Sequence, residues 1–315
     1  LETPVIIDLP DTTVSKVAKQ LVKVREEGGA VALGRVLTLV ISARNGVAEA
    51  AIDAANDASR EHPMRVIVVT TGEGDARIDG QIRIGGDAGA SEVIVLKAYG
   101  DAASNEESLI TGLLLPDAPV VAWWPDEAPS DPASSPLGKI AQRRITDAAT
   151  TPDVRDRLSL RGRTHAPGDT DLAWTRLTHW REQLAAVLDQ PPFDDVTAVD
   201  VRGAAGSPST ALLAAWLQLA LQVPVRWSYE DPAQWSEGIK SVRLTRTSGD
   251  IVLERTNPGV AVLTQPDQPD HDLVLPRRTL RECLAEELRR LDPDVLYGRV
   301  ITEGWEQLGP PETVA

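Results

Sequence analysis

Residues 35–70, RVLTLVISARNGVAEAAIDAANDASREHPMRVIVVT, decide how the first half of the chain folds. Arg35–Ser42 and Arg65–Thr70 are short, β-branched apolar runs of the kind that form buried strands. Between them, Asn45-Gly46 turns the chain into a helix whose inner face carries Val47, Ala51, Ala54 and Ala58. Small alanines let that helix sit close to a sheet, and His62-Pro63 ends it. A strand, a helix and a strand in this order predict a parallel pair with a right-handed crossover.

Working outward, Asp11 is positioned to cap a helix with Val14, Val17, Leu21 and Val24 on one face, stopped by Gly28-Gly29. Strands are expected at Gln81–Ile84 and Glu92–Ala98, joined by a loop at Gly85–Gly89. Ser104 and Glu107 have the spacing of a capping box. Leu113–Pro125, LLLPDAPVVAWWP, then gives a strand ending in two tryptophans. Neighbouring strand side chains point to opposite faces, so Trp123 and Trp124 cannot serve the same surface. Trp124 ends its strand, where α/β sheets bind ligands, and is a candidate for recognition.

Residues 126–170 read as a Pro-rich, acidic linker with a short basic segment, Gln142–Asp147, separating a domain at 1–125 from one at 171–315. The second half restarts with a helix capped near Asp171 and continues with a strand at Asp195–Val201. Ser207-Pro208 opens a helix that is apolar nearly all round. An antiparallel meander follows through Ile239–Thr247, Asp250–Arg255 and Gly259–Thr264. The expected fold class is therefore α/β: two topologically similar, three-layer-type α/β domains with mixed sheets, the second holding the meander.

Composition narrows the function. Across 315 residues, 47 acids against 32 Lys and Arg leave a formal charge of −15, which disfavours nucleic acid and anionic lipid as partners. Cys283 is the only cysteine, so neither an intrachain disulfide nor a thiolate metal site is available, and a reduced, cytoplasmic setting fits. It lies on an apolar helix face and reads as a small buried hydrophobe. No run has the layout of a signal peptide or the length of a membrane span.

Reaction chemistry is missing from the pattern. His62, His165, His179 and His271 are scattered, and Ser207 lacks the G-x-S-x-G elbow. Gly85–Gly89 has neither phosphate-loop pattern and leads into a strand rather than a helix. Tryptophan supplies eight of the twelve aromatics, which tilts the repertoire towards recognition. Trp180 and Trp216 lie in helical apolar patterns and read as core. The candidate binding residues are Trp123, Trp124, Arg143, Arg144, Thr146, Asp147, Trp174 and Arg176, which combine aromatic and basic groups around the expected linker. For each arginine pair the alternative is an internal salt bridge.

Seven phrases, in order, resemble one family: IIDLPDTT (6–13), EEGGAVALGRVLTLVIS (26–42), GGDAGASEVIVLKAYG (85–100), LLLPDAPVVAWWP (113–125), QRRITDA (142–148), DLAWTRLTHWR (171–181) and LAEELRRLDPD (284–294). They are similar to the glucose-6-phosphate dehydrogenase assembly protein family (OpcA). That resemblance implies a non-catalytic allosteric activator that binds the dehydrogenase and favours its active oligomer at the entry to the oxidative pentose phosphate pathway. No cofactor and no metal are expected. A rival reading is a phosphosugar-binding enzyme or metabolite sensor of the same pathway, and contact with a sugar phosphate stays open. A third is a scaffold that binds without changing the rate.

Overall fold

The computed structural model describes residues 5–27, 35–44, 46–84, 92–150 and 153–312. In chain order the first elements are β1 (Val5–Leu9), α1 (Val14–Glu27), β2 (Leu37–Ala43), α2 (Ala48–Ala58), β3 (Met64–Gly72), β4 (Arg77–Ile84), β5 (Glu92–Tyr99), α3 (Glu106–Ile110), β6 (Val120–Trp123), α4 (Pro136–Ile140), β7 (Arg143–Thr146), α5 (Val154–Thr164) and β8 (Asp169–Asp171). They are followed by α6 (Leu172–Thr175), α7 (Thr178–Leu188), β9 (Val196–Ala204), α8 (Pro208–Leu221), β10 (Val225–Glu230), β11 (Ile239–Arg246), β12 (Ile251–Asn257), β13 (Val260–Thr264), β14 (His271–Val274), α9 (Leu280–Arg289) and α10 (Val295–Arg299). The chain forms two compact units. The first takes residues 1–150, 168–170 and 280–293, and the second takes the rest.

The first unit is built on a mixed eight-stranded sheet in the order β1-β4-β5-β3-β2-β6-β7-β8. The expected β2-α2-β3 unit is present, with β2 and β3 parallel and Leu37 opposite Met64. From β5 onward the order is 5-3-2-6-7-8, which reproduces the 3-2-1-4-5-6 arrangement of doubly wound dinucleotide-binding sheets. A β4 hairpin and the edge strand β1 extend it antiparallel. Period-2 alternation divides the strands between two faces. Ile94, Leu96 and Ala98 of β5 join Val17 and Leu21 of α1 in one core cluster. The alanine face of α2 is buried as expected. The last piece of this unit, α9, comes from far along the chain and packs against α2.

The second unit holds a six-stranded sheet in the order β10-β9-β11-β12-β13-β14. Only β9 and β10 pair in parallel; β9 with β11, and the meander from β11 to β14, are antiparallel. Ser207 caps α8 by accepting from the Thr210 N–H, and Pro208 occupies its first turn. Apolar on all sides, α8 is buried along most of its length. It approaches the sheet where Gly203 has no side chain, since a Cβ there would lie 2.1 Å from Thr210 Oγ1.

Three expectations need correction. Residues 126–170 are not an extended linker: they hold α4, β7 and α5, whose ends are fixed by Ser135, which accepts from the Gly138 N–H, and by Asp153, which accepts from the Asp156 N–H. The two units are not topologically similar, one sheet being mainly parallel and the other mainly antiparallel. Two caps also shift by one or two residues. Thr13 rather than Asp11 caps α1, through Oγ1 and the Lys16 N–H at 3.3 Å, and Asn105 rather than Ser104 caps α3. The Gly85–Gly89 loop lies outside the described residues.

Candidate partner-binding surface

Most of the aromatic and basic residues singled out from the sequence are interior. Trp123 is 0% and Trp124 2% exposed. Trp123 ends β6 between Ile41 and Ile145. The Trp124 N–H still bonds to Ile145 O at 3.0 Å, which turns its indole to the opposite face, into the cluster with Val40, Ala122, Leu137 and Ala141. The pair does serve two faces, as the alternation requires, but both faces are core. Trp124 therefore presents nothing to a partner in this conformation.

On β7, Arg143 and Arg144 are also buried. Arg143 Nε donates to Glu287 at 3.0 Å and its Nη1 to Asp292 O at 2.7 Å. Arg144 is paired with Asp169 and donates to Ala141 O at 2.9 Å. Thr146 Oγ1 donates to Thr170 O at 3.2 Å, and the Asp147 carboxylate accepts the Ala149 N–H at 3.1 Å. In the second unit, the Trp174 indole donates to Asp294 at 2.9 Å beneath the guanidinium of Arg181, 3.9 Å from the ring centre. Arg176, half-buried, follows α6, where its N–H bonds to Leu172 O at 2.9 Å. The internal salt-bridge alternative describes Arg143 and Arg144.

The strand order raises the question of a dinucleotide, whose place would be the crevice where the order reverses between β2 and β6. The residues there do not fit one. A nucleotide-binding turn needs glycines so that backbone N–H groups approach the pyrophosphate; here the turn begins Ala43-Arg44, with Gly46 the lone glycine. The Arg44 donors are already used. Asp126, just beyond β6, accepts from the Arg44 N–H at 3.1 Å and from Arg44 Nε at 2.9 Å. Burial opposes the charge on Asp126, but hydrogen bonds from Arg44 and the Glu127 backbone outweigh it and hold the carboxyl below the usual carboxylate range. The protein's own carboxylate thus takes the Arg44 N–H at the start of this turn.

No group of three or more His, Cys, Asp or Glu is placed to hold a metal among the described residues. No helix among them is long and apolar enough to cross a membrane.

The open surface of the first unit has features that the sequence reading passed over. Lys16, Lys19 and Lys23 recur at i, i+3 and i+7 along the exposed face of α1, and they are three of the six lysines in the chain. With Gln20 they form one wall of a 420 Å³ groove, and Asp8, Leu9 and Pro10 at the end of β1 form the other. β1 ends its sheet, and its Val5 and Ile6 are half exposed. The signal was legible as a lysine spacing in a chain otherwise rich in arginine. A second groove of 460 Å³ includes Glu49, Gln81, Arg83, Lys97 and Tyr99, but its Arg83 is already held by Glu49 through two bonds of 2.8 and 2.9 Å.

A mainly parallel sheet in the first unit and a mainly antiparallel one in the second define a two-unit α/β protein. Family models place it further. Residues 55–163 match the glucose-6-phosphate dehydrogenase subunit N-terminal domain, and residues 167–301 match the C-terminal domain of the same subunit. The chain belongs to the glucose-6-phosphate dehydrogenase subunit family, OpcA, whose members are non-catalytic assembly partners of that dehydrogenase. Among curated proteins none matches significantly.

Solved structures with a similar course include UDP-N-acetylglucosamine 3-dehydrogenase GnnA from Acidithiobacillus ferrooxidans, 8% identical over 86% of this chain and 96% of that one, with a TM-score of 0.43. An NAD-binding oxidoreductase from Klebsiella pneumoniae is 9% identical over 87% and 96%, with a TM-score of 0.45. An oxidoreductase from Sinorhizobium meliloti is 11% identical over 80% and 88%, also with a TM-score of 0.45.

Proposed function

We propose that the protein activates glucose-6-phosphate dehydrogenase by docking onto it and favouring its active oligomer, and that the lysine stripe of α1 is the docking face. The observation that carries the first part is the family match across both halves of the chain. An effector of this kind shifts a population only by its differential affinity for the two states, about 1.4 kcal/mol for each tenfold change. The second part rests on charge. A chain of net charge −15 repels another acidic protein unless the contact supplies a local positive field. Lys16, Lys19 and Lys23 supply one, beside the outermost strand β1 and its exposed Val5 and Ile6. The surface that meets it is a carboxylate-bearing face of the dehydrogenase. A cytoplasmic setting belongs to the same reading.

The test mixes the purified proteins and follows dehydrogenase rate and oligomer mass. Wild type is expected to raise both. The triple variant K16E/K19E/K23E is expected to slow association by about tenfold or more at low ionic strength, with its melting temperature nearly unchanged, because these side chains are solvated. No change with wild type at any excess defeats activation itself. Unaltered binding by the triple variant defeats only the docking face.

A further inference from the structure

In the second unit, residues 231–238 join β10 to β11, and Gly238 closes the loop with φ +63°. Trp235 stands half-buried on this loop, its indole N–H donating to Gly238 O at 3.1 Å. Two arginines border the same glycine. Arg255, on β12, is 4% exposed. Its Nη2 donates to Leu275 O at 2.8 Å and its Nη1 to Ile239 O at a long 3.4 Å, while its Nε has no partner among the described residues. Its guanidinium lies 5.2 Å from the ring centre of Trp180, and no carboxylate pairs with it among the described residues. Burial pushes its pKa down to about 10. Arg277 is paired with the exposed carboxylate of Glu237 and donates to Glu237 O at 2.6 Å, but its Nε is likewise unpartnered among the described residues. It lies 5.6 Å from the ring centre of Trp235.

A buried guanidinium without a counter-charge costs several kcal/mol. The space beside Gly238 shows where such a charge could sit. The point that a Cβ would occupy is 3.9 Å from Arg255 Nη1 and 3.9 Å from Arg277 Nε, and apart from chain neighbours nothing else lies within 4 Å. An oxygen displaced about 1 Å from that point towards either nitrogen would be within hydrogen-bond distance of it. Gly238, which borders the gap, is itself half-buried.

We propose that this gap is an oxyanion seat: Arg255 and Arg277 bind one phosphate or carboxylate group between them, with Trp235 as an aromatic wall. At the gap, Arg277 Nε has no partner among the described residues and Arg255 Nη1 makes only its one long bond, so both can turn a donor to the oxygens of either group. The anion has two sources, a small phosphate monoester or a carboxylate of the docked dehydrogenase. Only the second rests on the docking reading.

Thermal melts in inorganic phosphate and in glucose 6-phosphate, against chloride at equal ionic strength, test the first source. Association with the dehydrogenase tests the second. Arg277→Gln keeps the half-exposed position polar and is expected to weaken whichever interaction is present by about 10- to 100-fold. Arg255→Met is expected to raise the melting temperature of the anion-free protein, by removing an uncompensated buried charge, and to abolish the anion's effect. Stabilisation by either phosphate that is lost in Arg277→Gln supports the seat with a phosphate ester. An effect of Arg277→Gln confined to dehydrogenase binding supports it with a carboxylate. If neither anion stabilises wild type and Arg277→Gln binds the dehydrogenase unchanged, the proposal is wrong. Should wild type fail to bind the dehydrogenase while phosphate still stabilises it, the docking reading falls and the seat stands.

Discussion

Trp124→Ala is expected to destabilise the first unit by about 3–5 kcal/mol, the range for removing a large aromatic side chain from a core. The indole is 2% exposed and belongs to the cluster that joins α1, the central strands and α4. A buried Trp removes roughly 200 Å² from water, about 5 kcal/mol gross at 25 cal/mol/Å². The surrounding atoms belong to a sheet whose strands are fixed by their pairing, so little of the resulting cavity can close. At about 2–4 °C for each kcal/mol, the melting temperature of this unit should fall by roughly 10 °C. A recognition role predicts the reverse pattern, weakened association with an unchanged melting temperature. The two readings are separated by one melt and one binding curve. An unchanged melt would mean that the indole is not packed as the structure has it.

The β2-α2-β3 unit was legible because its evidence is local. Two apolar runs and an alanine-faced helix in 36 residues leave few alternatives, and the Rossmann-type order grows from it. The segment 126–170 was misread because composition does not distinguish a solvated linker from a crossover. Ser135-Pro136 is the same cap and first-turn proline as Ser207-Pro208, and it starts α4 just as the latter starts α8. Two of the polar residues there, Ser135 and Asp153, are end caps. β1 went unread because five residues with Asp8 among them give a weak pattern, and an edge strand is half solvated.

The candidate site was less legible still, for a different reason. Whether an arginine is free or paired depends on residues far away in sequence. Arg143 meets Glu287 across 144 positions, and Arg44 meets Asp126 across 82. Arg255 and Arg277 come together at Gly238 only because the meander folds back on the loop before it. Adjacent basic residues such as Arg143-Arg144 drew attention by proximity in the chain, yet alternation on β7 sends them to different partners. The lysines of α1 had the opposite property. Their spacing is helical and local, so it was enough to put them on one exposed face, yet the sequence reading passed over it.

Glu287→Ala is expected to cost the first unit about 3–5 kcal/mol, because it strips the counter-charge from a buried arginine. Glu287 and Arg143 are each 4% exposed. The carboxylate takes two bonds from the guanidinium and one from Thr170 Oγ1 at 3.2 Å. These bonds tie α9, which enters this unit late in the chain, to β7 and β8, so the loss should free α9 as well as destabilise the sheet. Hydrogen exchange is the measurement that sees both: amides of Leu280–Arg289 should lose protection ahead of those in β2 and β3. Removing both charges separates pairing from packing. The double variant R143M/E287L carries no buried charge at this position and is expected to be more stable than Glu287→Ala alone, since apolar replacements of buried pairs are often neutral or stabilising. If instead the double variant is the less stable, the arginine is held by Asp292 O and its other contacts rather than by Glu287, and the pair is not what fixes α9 in place.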